Sequence, residues 1–149
     1  MEDDPYDLAR FLTAQEPVIA TALAELRAGR KRTHWMWFIF PQLSGLGASP
    51  MAQRYGIASL KEARAYLAHP VLGRRLRDCT EAVLGHAGRP LSALFGSPDA
   101  LKFCSSMTLF AAAALEDDGV FERALDCFCD GRRCPLTMAV LAREDQAQG

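Results

Sequence analysis

The sequence lacks the features of a membrane protein, of a secreted protein and of a strongly basic nucleic-acid-binding protein. No uninterrupted apolar run approaches the ~20 residues that a membrane helix needs. The N-terminus has neither the basic segment nor the apolar segment of a secretory signal. Lys and Arg number 17 and Asp and Glu number 18, a net charge of −1, which excludes a whole-molecule basic field. We therefore expect a cytoplasmic protein with no membrane contact.

Nucleotide-binding and metal-binding motifs are also missing. Neither G-x-x-x-x-G-K-[ST] nor G-x-G-x-x-G occurs, so the glycines of the loop 44–49 are a weak signal for phosphate binding and are typical of a tight turn between packed helices. The five cysteines are an odd number and match no zinc spacing, and we expect one of Cys127 and Cys129 to be buried and the other half-exposed. We predict no metal and no cofactor, and five reduced thiols: Cys79, Cys104, Cys127, Cys129 and Cys134.

The composition is that of a folded globular domain. Half of the 149 residues are hydrophobic and 23% are charged, a balance that supports a packed core. We expect a single domain with an ordered core over residues 5–142 and a frayed polar tail over residues 143–149.

Local start and stop signals predict helices and no strand pair. Asp4 before Pro5, Ser59 with Glu62, and Ser97 before Pro98 are typical of helix starts. Apolar residues recur at spacings of three and four between these signals and the following glycines or prolines. The predicted fold class is all-α, with about seven helices over residues 5–17, 19–29, 59–69, 70–85, 98–115, 120–129 and 135–142.

The run from Trp35 to Phe40 has neither a polar face nor strict alternation. It must therefore be nearly all buried, as a short helix or as an irregular extended segment at the centre of the fold. Its aromatic side chains suit the core, since each buries about 150–250 Å². Trp37 could instead stack on the base of a ligand.

The flanks of this run suggest a ligand site. Arg30 and Lys31 are cations that can hold a phosphate. His34 and Gln42 bracket the apolar run, where a polar side chain must be either hydrogen-bonded or used in function. A binding role and a structural hydrogen bond are equally good interpretations of these two residues.

A second group of polar residues lies on the helix predicted after Pro98. Lys102, Ser105 and Ser106 share one helical face, and Thr108 follows. Lysine and hydroxyl groups could form a pocket floor for an anionic substrate, with Tyr55 as a further wall. The alternative is a solvated face whose hydroxyls bond back to the helix.

Three remaining polar features have structural interpretations. His69 precedes a proline at a helix junction, and His86 lies in a glycine-flanked loop. We expect each to cap a helix end or to face solvent. The acidic run 116–118 is expected to be a solvated loop.

Several segments resemble one protein family. The similarity is carried by Lys31 to Gly47, with its Trp-Met-Trp-Phe-Ile-Phe-Pro-Gln core, by His69 to Leu76, by Phe95 to Lys102 and by Ser105 to Phe110. These motifs resemble a bacterial family of all-helical proteins known as domain of unknown function 1810. The resemblance spans roughly Leu8 to Leu141 and implies a compact helical domain in the bacterial cytosol. It implies no activity, and it departs from the expected pattern at Cys134, where the family is expected to carry an acid.

The residues themselves support two classes of function. The first is binding of a nucleotide-like or phosphorylated small molecule, with hydrolysis of an N-glycosidic or ADP-ribose-type bond if Asp99 or Glu62 assists a water. The second is a non-catalytic protein–protein interaction or regulatory module, which predicts an exposed apolar patch. Nucleic-acid binding through the basic clusters Arg30-Lys31-Arg32 and Arg74, Arg75 and Arg77 is not expected, given the balanced charge.

Overall fold

The structure is a computed structural model that describes residues 4–46, 49–114 and 119–148, the last four by their backbone only. Within these residues the chain forms ten α-helices, one 3-10 helix (Ser44–Leu46) and no strand, so the all-α prediction is confirmed. The α-helices are α1 (Ala9–Gln15), α2 (Ile19–Ala28), α3 (Met36–Ile39), α4 (Pro50–Arg54), α5 (Leu60–Ala68), α6 (Leu72–Leu84), α7 (Leu91–Phe95), α8 (Ser97–Ala113), α9 (Val120–Phe128) and α10 (Pro135–Gln148).

The helix count exceeds the prediction by three, because α4 and α7 were missed and α3 lies in the run predicted as either a short helix or an extended segment. The helices α4 and α7 each have five residues, too few for a repeating apolar spacing to show. The helix α10 continues to Gln148, through residues predicted to form the polar tail. Gly47, Ala48 and the acidic run 116–118 lie outside the described residues.

The local signals act close to where they were predicted. The Asp4 carboxylate accepts hydrogen bonds from the amides of Leu8 and Ala9, so it caps α1, although the helix begins later than predicted. Ser59 caps α5 through the Glu62 amide at 3.1 Å. Gly29 ends α2 at φ 84°, a left-handed conformation that favours glycine. The helix α8 begins at Ser97 with Gly96 at its N-cap, one residue before the predicted position.

The core surrounds α8, which contacts α5, α7, α9 and α10. Trp35, Met36, Ile39 and Phe40 are buried in it, as predicted for the aromatic run. Trp37 and Phe38 are half-buried, so the prediction of nearly complete burial is wrong for these two. A four-residue helix turns successive side chains by about 100°, and therefore cannot place all of them inward.

The cysteines differ from the prediction of five reduced thiols. Cys104 of α8 and Cys129, directly after α9, form a disulfide with their Cα atoms 6.1 Å apart. Cys127 is exposed and Cys79 is buried, while Cys134 is partly exposed. The packing of α8 against α9 brings these two cysteines together. They are 25 residues apart in sequence, so no local pattern predicts the disulfide.

Two features of membrane proteins and metalloproteins are absent from the described residues. No described helix is both long and apolar enough to cross a bilayer. Nor does that part of the chain contain a group of three metal-ligating side chains.

Candidate functional site

The basic turn before α3 is held by one carboxylate, Glu25 of α2. Its Oε1 accepts hydrogen bonds from the amides of Arg32 and Thr33 and from the Trp35 indole at 2.9 Å. Its Oε2 accepts the Thr33 hydroxyl at 2.8 Å. Partial burial alone would raise the pKa of Glu25, but these donors outweigh it and lower the pKa to about 2. Glu25 therefore fixes the path of the chain into the aromatic run.

Replacing Glu25 with Gln should remove part of the acid sensitivity of folding. Because the folded-state pKa is about 2 and the ordinary value is 4.5, the carboxylate stabilises the fold above pH 4.5 and loses this effect as pH falls toward 2. At pH 7 the free energy of unfolding of the wild type should exceed that of Glu25→Gln by at most about 2 kcal/mol, after allowance for solvent screening. Urea titrations from pH 7 to pH 2.5 measure the difference, which should shrink with acidity. Glu81→Gln, at an exposed ion pair, is the matched control and should show almost no difference.

A shallow depression lies between α3, α4 and α8. It is open to solvent and has room for about one water molecule. Four of the predicted ligand residues line it: Trp37, Gln42, Tyr55 and Lys102. The remaining wall is mostly apolar and is formed by Met36, Phe40, Pro41, Ala52 and Gly56. No hydrogen bond from the Gln42 carboxamide to another described residue is present, which leaves its donors and acceptor available.

Lys102 brings positive charge to this depression. Its Nζ lies 4.8 Å from the centre of the Trp37 ring. It also lies 3.5 Å from Asp99, whose other oxygen is 2.8 Å from Lys31. The Lys31 side chain is only 8% exposed whereas that of Lys102 is 30% exposed. Lys31 therefore neutralises Asp99, and Lys102 carries the excess positive charge toward solvent.

The other predicted ligand residues do not line this depression. Arg30 and His34 are exposed on the basic turn. The Ser105 hydroxyl lies within hydrogen-bond distance of the Leu101 carbonyl and of the Cys134 sulfur and donates its one proton to either, and Thr108 donates to the Cys104 carbonyl. Ser106 is fully buried. Ser105 shares a face of α8 with Lys102 but lies one turn further along the helix, so it meets Cys134 rather than the depression.

The two carboxylates proposed to activate a water, Glu62 and Asp99, both form ion pairs. Glu62 is buried, lies 2.8 Å from the Arg10 guanidinium and accepts the Ala58 amide at 3.0 Å. Asp99 is held by its two lysines. Neither carboxylate is free to take a proton from a substrate.

The two histidines considered above cap helices. His86 Nε2 lies 2.8 Å from the Leu26 carbonyl at the end of α2. His69 Nδ1 accepts the amides of Val71 and Leu72 at the start of α6. These contacts fit the structural interpretation.

Two features of the site were not predicted from the sequence. One is the pairing of Asp99 with two lysines, and the other is the apolar wall of the depression. The Asp99–Lys102 spacing of three residues on one helix indicates half of that cluster. Nothing local links Asp99 to Lys31, because the pairing depends on how α8 packs against the turn that follows α2.

Comparisons with known proteins give a family and one structural relative. The family described as "Protein of unknown function (DUF1810)" matches residues 5–141. A crystal structure of the conserved hypothetical protein Rv1873 from Mycobacterium tuberculosis is similar with a TM-score of 0.91 and 55% identity, covering 93% of this chain and 99% of that one. No curated protein is similar to this chain.

Proposed function

The chain belongs to the DUF1810 family, whose description assigns no activity, and we propose from the geometry that it binds a nucleotide-like or phosphorylated small molecule in the depression beside Trp37. The observation that carries this proposal is the Lys102 ammonium lying over the Trp37 ring at 4.8 Å, with Gln42 on the same wall. Lys102 supplies a cation that can hold an anionic group, and the Trp37 ring can contact a ring of the ligand. The Gln42 carboxamide can form hydrogen bonds with a polar ring edge.

The charge arrangement favours an anionic ligand. The cluster of Lys31, Asp99 and Lys102 has one more positive than negative charge, and Lys102 is its more exposed cation. A phosphate that replaces the long 3.5 Å contact with Asp99 would form a charge-assisted hydrogen bond with Lys102. Asp99 would keep its shorter partner, Lys31.

The depression is shallow, and in its present form it has room for about one water molecule. Sites that enclose drug-sized ligands have roughly 300–1,000 Å³. A phosphorylated ligand would therefore rest on the surface of the depression, with its phosphate at Lys102 and much of its remaining surface in solvent.

Binding fits the site better than hydrolysis. Cleavage of an N-glycosidic bond needs a group that can activate a water. Asp99 and Glu62 both lie in ion pairs at 2.8 Å. No unpaired carboxylate lines the depression.

An interaction module is the alternative, and it has less support. Among the described residues the exposed large hydrophobic side chains are Val71, Leu101, Leu136 and Met138. Val71 lies at the start of α6, Leu101 on α8, and Leu136 and Met138 on α10, which packs on α8. Four exposed apolar side chains are ordinary on a monomer.

Thermal unfolding with a panel of ligands tests the proposal. The panel contains adenosine, adenosine monophosphate, ribose 5-phosphate and inorganic phosphate. A ligand present at 100 times its Kd stabilises by about 2.7 kcal/mol, which raises the Tm by roughly 5–10 °C for a chain of this size. We expect this shift with at least one phosphorylated compound and a smaller shift with adenosine.

Variants of the lysines make the test specific. Lys102→Gln should weaken binding at least about tenfold, because a hydrogen bond to a charged group is worth about 1.5–3 kcal/mol. Lys61→Gln, an exposed lysine of α5, is the matched control, and Arg30→Gln should also leave affinity unchanged. An absence of any shift, or equal shifts in wild type and Lys102→Gln, would contradict the proposal. We further propose the cytoplasm as the location, where phosphorylated metabolites are found.

A further inference from the structure

Cys134 lies outside the depression, at the junction of α8, α9 and α10. It directly precedes α10, and its sulfur accepts the Ser105 hydroxyl at 3.3 Å. Its amide donates to the Thr108 hydroxyl at 2.9 Å. That hydroxyl donates in turn to the Cys104 carbonyl at 2.8 Å. One shared hydroxyl therefore joins the backbone of Cys134 to the backbone of Cys104.

Cys104 is one half of the disulfide to Cys129. Ser105, whose hydroxyl touches the Cys134 sulfur, is the next residue in the chain after Cys104. By helical spacing, Cys104, Ser105 and Thr108 share the face of α8 that Cys134 contacts, so the free thiol and the disulfide border the same face of this helix. The other free thiols differ in setting, since Cys127 is exposed and Cys79 is buried. Burial raises the pKa of Cys79 to about 12 and keeps that thiol protonated.

The surroundings of Cys134 stabilise its thiolate. Partial burial alone would raise the pKa of Cys134, but donors from Ser105 and from the first turn of α10 outweigh this and place the pKa below its usual value. The partial positive charge at the N-terminus of this 14-residue helix acts in the same direction.

A further buried hydroxyl faces the same sulfur. Thr137 is fully buried, and its hydroxyl has no partner that meets hydrogen-bond geometry among the described residues. It nevertheless lies close enough to Cys134 to lower the pKa of that thiol. It is thus an available donor for a negative charge that forms on the sulfur.

We propose that Cys134 is the nucleophile of an internal thiol–disulfide exchange with the Cys104–Cys129 pair. The Cys134 thiolate attacks the Cys104 sulfur, a Cys134–Cys104 bond forms, and the Cys104–Cys129 bond breaks. Cys129 leaves as a thiolate and takes up the proton that Cys134 lost, so the number of disulfides is unchanged. No external oxidant or reductant is required.

The exchange would change which elements are covalently joined. The present disulfide ties α8 to the end of α9, whereas the new one would tie α8 to the start of α10. In a cytoplasmic protein, the location proposed above, disulfides are usually transient and redox-sensing. The three cysteines thus form a covalent switch that is independent of the ligand site.

Trapping of the released thiol tests the proposal. All samples carry Cys127→Ser, because Cys127 is exposed and two residues from Cys129, and could exchange by itself. The folded, oxidised protein is held at pH 8 and pulsed with N-ethylmaleimide. It is then digested without reduction and mapped by mass spectrometry. We expect label on Cys129 together with a Cys104–Cys134 disulfide peptide.

Cys134→Ser is the decisive variant. Serine is a preferred N-cap residue, so α10 should remain capped, and a thermal melt checks the fold. Labelling of Cys129 should be lost in this variant. Label confined to Cys134 in the parent protein, or Cys129 labelled equally with and without Cys134, would overturn the proposal. Label on Cys104 with a Cys129–Cys134 peptide supports exchange, with the other sulfur attacked.

A second variant separates thiolate stabilisation from packing. Ser105→Ala removes one donor to the sulfur and should slow alkylation of Cys134 about threefold. A tenfold loss of thiolate is partly offset because a thiolate of higher pKa is a stronger nucleophile. Labelling of Cys127, measured in the otherwise wild-type chain, should stay constant. An unchanged Cys134 rate would count against the role given to the Ser105 hydroxyl.

Discussion

Replacing Arg10 with alanine is expected to lower the free energy of unfolding by about 3–5 kcal/mol, the usual cost of breaking a buried ion pair. The Arg10 guanidinium donates to five acceptors: the carbonyls of Tyr6, Asp7, Arg54 and Gly56, and the Glu62 carboxylate. The Glu62 side chain is only 4% exposed, so its charge would be left buried without a cation. The expected fall in Tm is on the order of 10 °C.

Chemical denaturation of matched variants measures this effect. Arg74→Ala removes an exposed arginine that lies 3.9 Å from Asp78, and should cost less than about 1 kcal/mol. The double variant Arg10→Ala, Glu62→Gln should lose less free energy of unfolding than the sum of the losses in the two single variants. The reason is that Glu62→Gln removes the buried charge that Arg10→Ala leaves unpaired. Equal losses from Arg10→Ala and Arg74→Ala would show that Arg10 does not act as a hub.

Arg10 also links stability to the proposed ligand site. It holds the carbonyls of Arg54, the last residue of α4, and of Gly56, which lines the depression. Its other partners belong to the segment before α1 and to α5. A single side chain therefore positions a wall that consists of residues far apart in sequence.

Gly73→Ala is expected to destabilise the fold by more than about 3 kcal/mol or to prevent folding, as changes that overpack a core against backbone do. A methyl group at Gly73 would overlap the carbonyl oxygen of Leu67 in the neighbouring α5. That oxygen belongs to the backbone and cannot rotate aside. The two helices would have to separate, although Leu67 and Leu72 are both buried between them.

Gly85→Ala is the matched control on the same helix. A methyl group there would lie 3.3 Å from the Ala82 carbonyl, and the backbone φ of −60° suits any residue. Its effect should lie within about 0.5 kcal/mol of zero. Thermal melts of the two variants give the comparison. If Gly73→Ala melts as Gly85→Ala does, α5 and α6 are not packed closely at this point.

Short-range signals predicted much of the helical framework. Ser59 and Glu62 lie within one helical turn, and the hydrogen bond between the Ser59 hydroxyl and the Glu62 amide is present as expected. Gly29 ends α2 because a left-handed residue there costs glycine little. Such interactions join residues a few positions apart, so their geometry is set as soon as the helix forms.

The candidate site could be predicted only in part. Trp37, Gln42, Tyr55 and Lys102 line one depression, whereas Ser105, Ser106 and Thr108 do not. Helical spacing showed that Lys102 and Ser105 share a face of α8. It could not show that one end of this face meets α3 and the other meets Cys134. That outcome depends on the angles at which the helices pack.

The all-α class, most helix ends and the burial of Trp35 and Phe40 follow from local patterns, because apolar spacing and capping are properties of neighbouring residues. The sharing of Asp99 by Lys31 and Lys102, the ion pair of Arg10 with Glu62 and the disulfide of Cys104 with Cys129 arise from the packing of distant elements. Each of these partners comes from a different element. Such contacts exist only after burial of the apolar faces has fixed the relative positions of the helices.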